Sequence, residues 1–167
     1  LTTDITGTYI DFGSANQDIN YTANGPLIAN QWYHTAMVVQ ANSASSHYVF
    51  GYVNGQLVIT SNDTTTYSTS SGVSMGTYNG VGGGPLNGYL RNVKYWSRAL
   101  SGTEIQDEFN STVPVHKAGL LAYYPFDTSL AADLSGNGNI LTSNGTVTLV
   151  DGNYSKSWLG RGMNYIR

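Results

Sequence analysis

The chain has 167 residues, no cysteine, a formal net charge of −3 and only 10% charged residues. These values exclude disulfides, thiolate metal sites and a cysteine nucleophile. They also argue against nucleic acid as a partner, because phosphate neutralisation needs clustered Lys and Arg and this chain scatters seven. A charged share far below the usual ~25% leaves a surface of Ser, Thr, Asn, Gly and Tyr, the texture of secreted, cell-wall or virion-surface β-domains. No apolar run approaches the ~20 residues needed for membrane insertion. The chain opens at Leu1 without a signal peptide, as expected of a mature or excised piece.

In chain order, residues 8–12 and 17–22 read as short strands stopped by Gly13 and by Asn24-Gly25-Pro26. Residues 32–40 read as one long strand. Trp32, His34, Ala36 and Val38 share one face and Tyr33, Thr35, Met37 and Val39 the other, so both faces are apolar, as in a central strand. Residues 47–53 and 56–60 flank Asn54-Gly55, the dipeptide of a type I′ hairpin turn. Residues 61–72, rich in Ser, Thr and Asn, read as a loop, and residues 73–78 as a further strand. Tyr89 to Trp96 alternates as a strand. Ser101 and Glu104 then form a capping box that starts a short helix, with Leu100 and Ile105 as its staple. Residues 111–117, with Pro114, read as a linker. Residues 120–126 read as a strand, 127–139 as a turn-rich segment and 146–150 as a strand, with weaker strands at 157–159 and 164–166. About ten short strands and one helix give an all-β fold, a two-sheet antiparallel jelly-roll β-sandwich.

Three stretches carry a family resemblance. They are Asn30-Gln-Trp-Tyr-His-Thr-Ala-Met-Val-Val39, Tyr52-Val-Asn-Gly-Gln-Leu-Val58 and Gly88 to Phe109. In that order they resemble the Trp-x-His strand, the following hairpin, and the closing strand with terminal helix of the laminin G-like, concanavalin A-like jelly-roll family. Leu120-Leu-Ala-Tyr-Tyr-Pro-Phe-Asp127 and Asp133-Leu-Ser-Gly-Asn-Gly-Asn139 resemble that fold's opening, so the family segments stand in permuted order. Two organisations follow. In the favoured one, residues 1–167 are a single sandwich in which 119–166 complete the sheets of 8–100, with residues 120–126 antiparallel to Tyr89–Trp96. In the other, 1–112 end one repeat and 118–167 start the next. Two separate halves would leave bare edges and apolar faces.

This architecture also hosts glycoside hydrolases, which need two carboxylates about 5–10 Å apart. The chain has two glutamates, Glu104 and Glu108, spaced as a solvated helix face with Glu104 at the cap. His34, His47 and His116 lie in no nucleophile motif, and His34 reads as a structural, hydrogen-bonded strand residue. An aspartate pair such as Asp127 and Asp133 is the remaining hydrolase alternative, and the expectation is a protein that is not an enzyme. Calcium needs several oxygens. Asp127, Asp133 and Asn137 could supply them, and the resemblance adds Asn92, at a position where relatives often place an Asp ligand to a structural Ca2+. The same residues could instead cap turns through Asx bonds. Trp32 and Trp96 are expected in the core. A sugar site combines an aromatic with amides and hydroxyls, and Asn62, Asp63, Tyr67, Tyr78, Asn79 and Trp158 are the candidates. The sequons start at Asn20, Asn62, Asn110, Asn144 and Asn153. The expected function is therefore non-catalytic recognition, extracellular or at a virion surface, of a glycan or glycoprotein surface, within a larger multidomain or oligomeric assembly. The alternative is a structural capsid, spike or adhesion module that binds protein.

Overall fold

The computed structural model describes residues 2–4, 9–11, 20–22, 28, 31–43, 46–64, 75, 88–143, 147–149 and 164–166. Among them are eleven strands and one helix, in the order β1 (Thr2–Asp4), β2 (Tyr9–Asp11), β3 (Asn20–Thr22), β4 (Gln31–Tyr33), β5 (Thr35–Ser43), β6 (Ser46–Val53), β7 (Gln56–Asp63), β8 (Gly88–Tyr89), β9 (Val93–Trp96), α1 (Gly102–Phe109), β10 (Leu120–Tyr124) and β11 (Asn164–Ile166). The ladders run β1-β2-β3, β5-β6-β7, β4-β11-β8 and β10-β9, and every pairing is antiparallel. Among the described residues the fold is an all-β sandwich with one short helix, as the alternation and turn spacing predict.

Strand β6 is the middle of its sheet, and from Val49 onward it is largely buried on both faces. Tyr52, paired with Ala36, lies on one face; Val49, 1% exposed, lies on the other. The turn after β6 is left-handed at both Asn54 (φ 51°) and Gly55 (φ 78°), as a type I′ turn requires. Gly55 has a second duty: a Cβ there would come within 2.8 Å of the Gln106 amide and 2.9 Å of the Phe109 ring, so α1 packs directly on the turn. Ile105 and Leu100 carry the helix onto Val38 and Tyr52, with Ala36, Phe50 and Trp96 against that cluster. Burial of those side chains, at roughly 1.5–3 kcal/mol each, holds α1 to the sheet. The capping box is present in both directions: Ser101 Oγ accepts from Glu104 N, and Glu104 Oε2 accepts from Ser101 N.

Four sequence expectations need correction. The strand over residues 32–40 breaks at His34, whose backbone N–H donates to Asn54 Oδ1 and whose carbonyl accepts from Asn54 N; its pairing leaves the ladder, and the chain passes from the β4 sheet to the β5 sheet. The strand over 89–96 breaks at Asn92, which is left-handed at φ 54°. Residues 61–63 are not loop: they extend β7 and pair with Val49, Tyr48 and His47. Residues 147–149 carry no regular structure. The strands expected at 73–78 and 157–159 lie outside the described residues, apart from Met75.

Strand β10 lies antiparallel to β9, with Leu120 opposite Trp96 and Tyr124 opposite Val93. The return between them, residues 111–119, is held along its length. Lys94 Nζ donates to the carbonyls of Ser111 and Val113, Trp96 Nε1 to His116 O at 2.7 Å, and Arg98 Nε to Ala118 O at 2.9 Å. Alternate side chains of one strand and its extension thus bind successive backbone carbonyls of the strap.

Candidate functional site

The exposed end of the β5-β6-β7 sheet carries the clearest concentration of recognition chemistry. Pairing sets Gln40 opposite Tyr48 and Tyr48 opposite Asn62, so the three side chains form one row across three strands on one face. All three are exposed, Tyr48 by 39%. Directly paired residues have Cβ atoms about 5 Å apart, so the row spans about 10 Å. The Tyr48 ring leans toward Phe50, with ring centroids 6.2 Å apart. Ser46 Oγ donates to Asn62 Oδ1 at 2.6 Å and accepts a long bond from Asn42 Nδ2 at 3.5 Å. An aromatic ring between two amides, with a hydroxyl alongside, offers a stacking surface and directional donors and acceptors. The other end of this face is closed by α1 at Tyr52.

Of the six residues proposed from sequence for sugar contact, Asn62 and Asp63 lie on strand β7 rather than on a loop. Tyr67, Tyr78, Asn79 and Trp158 lie outside the described residues, as does the side chain of Asp63. Sequence reasoning missed Gln40 and Tyr48. The signal was present, since both fall on the same strand parity as Ala36 and Phe50 once register is known, but register follows only from the length of the β5–β6 connection.

The four candidate metal residues divide. Asp133 accepts through Oδ1 from Tyr123 N (2.9 Å) and Ser135 N (2.8 Å), and through Oδ2 from Ser135 Oγ and Asn139 N, both at 2.9 Å. Burial resists ionisation of this carboxyl, but the bonds from Tyr123, Ser135 and Asn139 outweigh it and hold the group down at about 2. Asn137 Nδ2 donates to the carbonyls of Leu120 and Leu121. Both residues therefore bind the outer edge of β10, and Leu134 N donates to Tyr123 O beside them. Asn92 lies on the β9 side: its Oδ1 faces the Tyr123 hydroxyl at 3.3 Å, and its buried Nδ2 has no hydrogen-bond partner. Asp127 is exposed and meets Thr128 Oγ1 at 3.2 Å. Asp133 and Asn137 thus lie beyond one edge of β10 and Asn92 beyond the other, separated by the width of a strand. The bonds they make are those of turn capping, and an ion at Asp133 would have to displace four donors. Among the described residues, no group of three or more His, Asp and Glu converges to hold a metal.

Both glutamates are committed to structure. Glu104, besides its capping role, forms a two-pronged contact with Arg98 at 3.0 and 2.6 Å; the Arg98 hydrogen bond, with the Ser101 N–H, holds its carboxyl at about 2. Glu108 is not on a solvated helix face. It is 2% exposed, its Oε2 meets Lys94 Nζ at 2.7 Å, and its Oε1 accepts from Val115 N and His116 N. His34 lies against Phe109, with ring centroids 5.5 Å apart. Burial, with a smaller contribution from the Lys94 charge, lowers it to about 4. Its backbone N–H and carbonyl bond Asn54, in keeping with a hydrogen-bonded structural residue, while its buried Nδ1 has no partner.

Residues 3–106, more than half of the chain, match a family model described as Laminin_G_3, concanavalin A-like lectin/glucanases superfamily. No curated protein and no solved structure matches the chain.

Proposed function

The chain belongs to the concanavalin A-like lectin/glucanase superfamily, and from that membership we propose that it is a non-catalytic extracellular recognition module whose ligand is carbohydrate. Family membership by itself makes it a lectin-like or adhesion-type module. The observation that carries the narrower reading is the exposed Gln40–Tyr48–Asn62 row. A pyranose has an apolar face that stacks on an aromatic ring and hydroxyls that pair with side-chain amides, and the row's length of about 10 Å suits one or two sugar residues. The non-catalytic part rests on the glutamates: the chain has two, and both are already bound, one to Arg98 and the helix cap, the other to Lys94 and the strap.

The test is a glycan array probed with the bacterially expressed chain and with Tyr48→Ala. Discrete saturable binding that falls about tenfold or more in the variant, about 1.4 kcal/mol, is the expected result. Binding unchanged by Tyr48→Ala, or no binding to any glycan, contradicts the proposal.

The protein-binding alternative has an observation of its own. Leu121, Leu134 and Ile140, beside the outer edge of β10, are 46%, 58% and 72% exposed. Sedimentation of the chain as an oligomer, with no signal on the array, would favour it.

A further inference from the structure

We propose that Asn62 is an N-glycan acceptor and that its glycan lies over Tyr48, closing the recognition face in the same molecule. The occlusion rests on the reading of that face given above; the modification itself does not. Asn62-Asp63-Thr64 is an Asn-x-Thr sequon, and both Asn62 and Thr64 are exposed. Ser46 Oγ donates to Asn62 Oδ1 at 2.6 Å, so this bond holds the amide by its oxygen and not by Nδ2, the atom that is glycosylated.

The other sequon with a described side chain is the opposite case. Asn110 Nδ2 is itself engaged, donating to Gln106 O at 2.9 Å as the helix ends. The next two residues are built into the strap: Ser111 O accepts from Lys94 Nζ, and Thr112 O accepts from the Tyr123 hydroxyl at 2.9 Å. A glycan at Asn110 would have to displace contacts that the fold uses, whereas the Ser46 bond engages Asn62 through its oxygen.

Transfer takes place from a lipid-pyrophosphate-linked oligosaccharide in a secretory compartment. The bond from Nδ2 to the sugar C1 forms, the bond from C1 to the pyrophosphate oxygen breaks, and the amide gives up one proton as the lipid pyrophosphate leaves. Because Tyr48 is the direct cross-strand partner of Asn62 on the same face, with Cβ atoms about 5 Å apart, the first sugar residue reaches the Tyr48 ring. The site thus holds a tethered sugar at high local concentration, against which a free glycan must compete.

The experiment compares three preparations: the chain secreted from mammalian cells behind a leader, Thr64→Ala from the same cells, and the bacterial chain. Peptide mapping is expected to find Asn62 occupied and Asn110 empty. Thr64→Ala, which keeps Asn62 but abolishes the sequon, should melt at a lower temperature than the glycoform, and that difference should vanish when both carry Tyr48→Ala. The glycoform should bind the array about tenfold or more weakly than the bacterial chain. An empty Asn62 in folded secreted protein overturns the modification. A melting difference that survives Tyr48→Ala overturns the contact with the ring. Equal array binding by the two forms overturns the occlusion. If the bacterial chain binds no glycan, the reading of the face fails, while occupancy and melting still decide the modification.

Discussion

Lys94 and Glu108 lie almost wholly out of water, at 6% and 3% side-chain exposure. Burial lowers the lysine's proton affinity, and the contact with Glu108 opposes that. Such a pair contributes little net stability over an apolar pair, but losing one partner strands the other charge. Glu108→Ala should therefore cost about 3–5 kcal/mol in urea unfolding, and Lys94→Met with Glu108→Leu should recover most of it. An equal loss in the single and double variants would show that the strap, not the charge, sets the cost. His34 gives a pH dependence of definite sign. Its folded value of about 4 lies below the ordinary histidine value of 6.5, so the unfolded chain binds the extra proton first. Stability is full above about pH 6.5 and falls as pH drops toward 4, by at most on the order of 3 kcal/mol. A separate loss follows lower down, as Glu104 and Asp133 protonate through their folded values of about 2. His34→Gln should flatten the first step in acid unfolding curves and leave the second; an unchanged first step would refute the assignment.

At the scale of elements, the outer edge of β10 shows how the chain manages a strand end. Tyr123 N, Tyr123 O and Leu121 O, which would otherwise face water as a bare edge, are taken by Asp133, Leu134, Asn137 and Asn139. Asp133→Ala leaves three N–H groups without that acceptor and should cost roughly 1–3 kcal/mol by thermal or urea unfolding. Because Asp133 spends both oxygens on the chain, adding millimolar calcium should leave the melting temperature of the parent protein unchanged. A rise that Asp133→Ala abolishes would show instead that an ion displaces these bonds. Local elements were legible in the sequence for local reasons: Ser101 with Glu104, and Asn54 with Gly55, specify their turns within four residues. The continuation of β7 through Asn62 was not, since Ser-Asn-Asp reads as a turn and only pairing with His47–Val49 makes it strand. The burial of Glu108 was hidden for a similar reason, because its partners Val115 and His116 arrive only when the strap returns.

For the whole molecule, the segment that resembles the family's opening pairs with the segment that resembles its close, β10 on β9, and β11 pairs with both β4 and β8. We take residues 119–166 to complete the sheets of 8–100, so that one body presents the Gln40–Tyr48–Asn62 face. The β10–β9 pairing was expected from the sequence because completion of the sheets requires that shared edge. The welded strap was not readable, because it depends on Lys94, Trp96 and Arg98 meeting carbonyls some twenty residues away. Native-state hydrogen exchange tests the closure most directly. If β10 closes the sandwich, the slowest amides of β9 and β10 should open with the same free energy as Val49 in β6, through one global unfolding. Exchange of β10 at much lower free energy, with β6 still protected, would show that the segment after the strap folds apart from the rest.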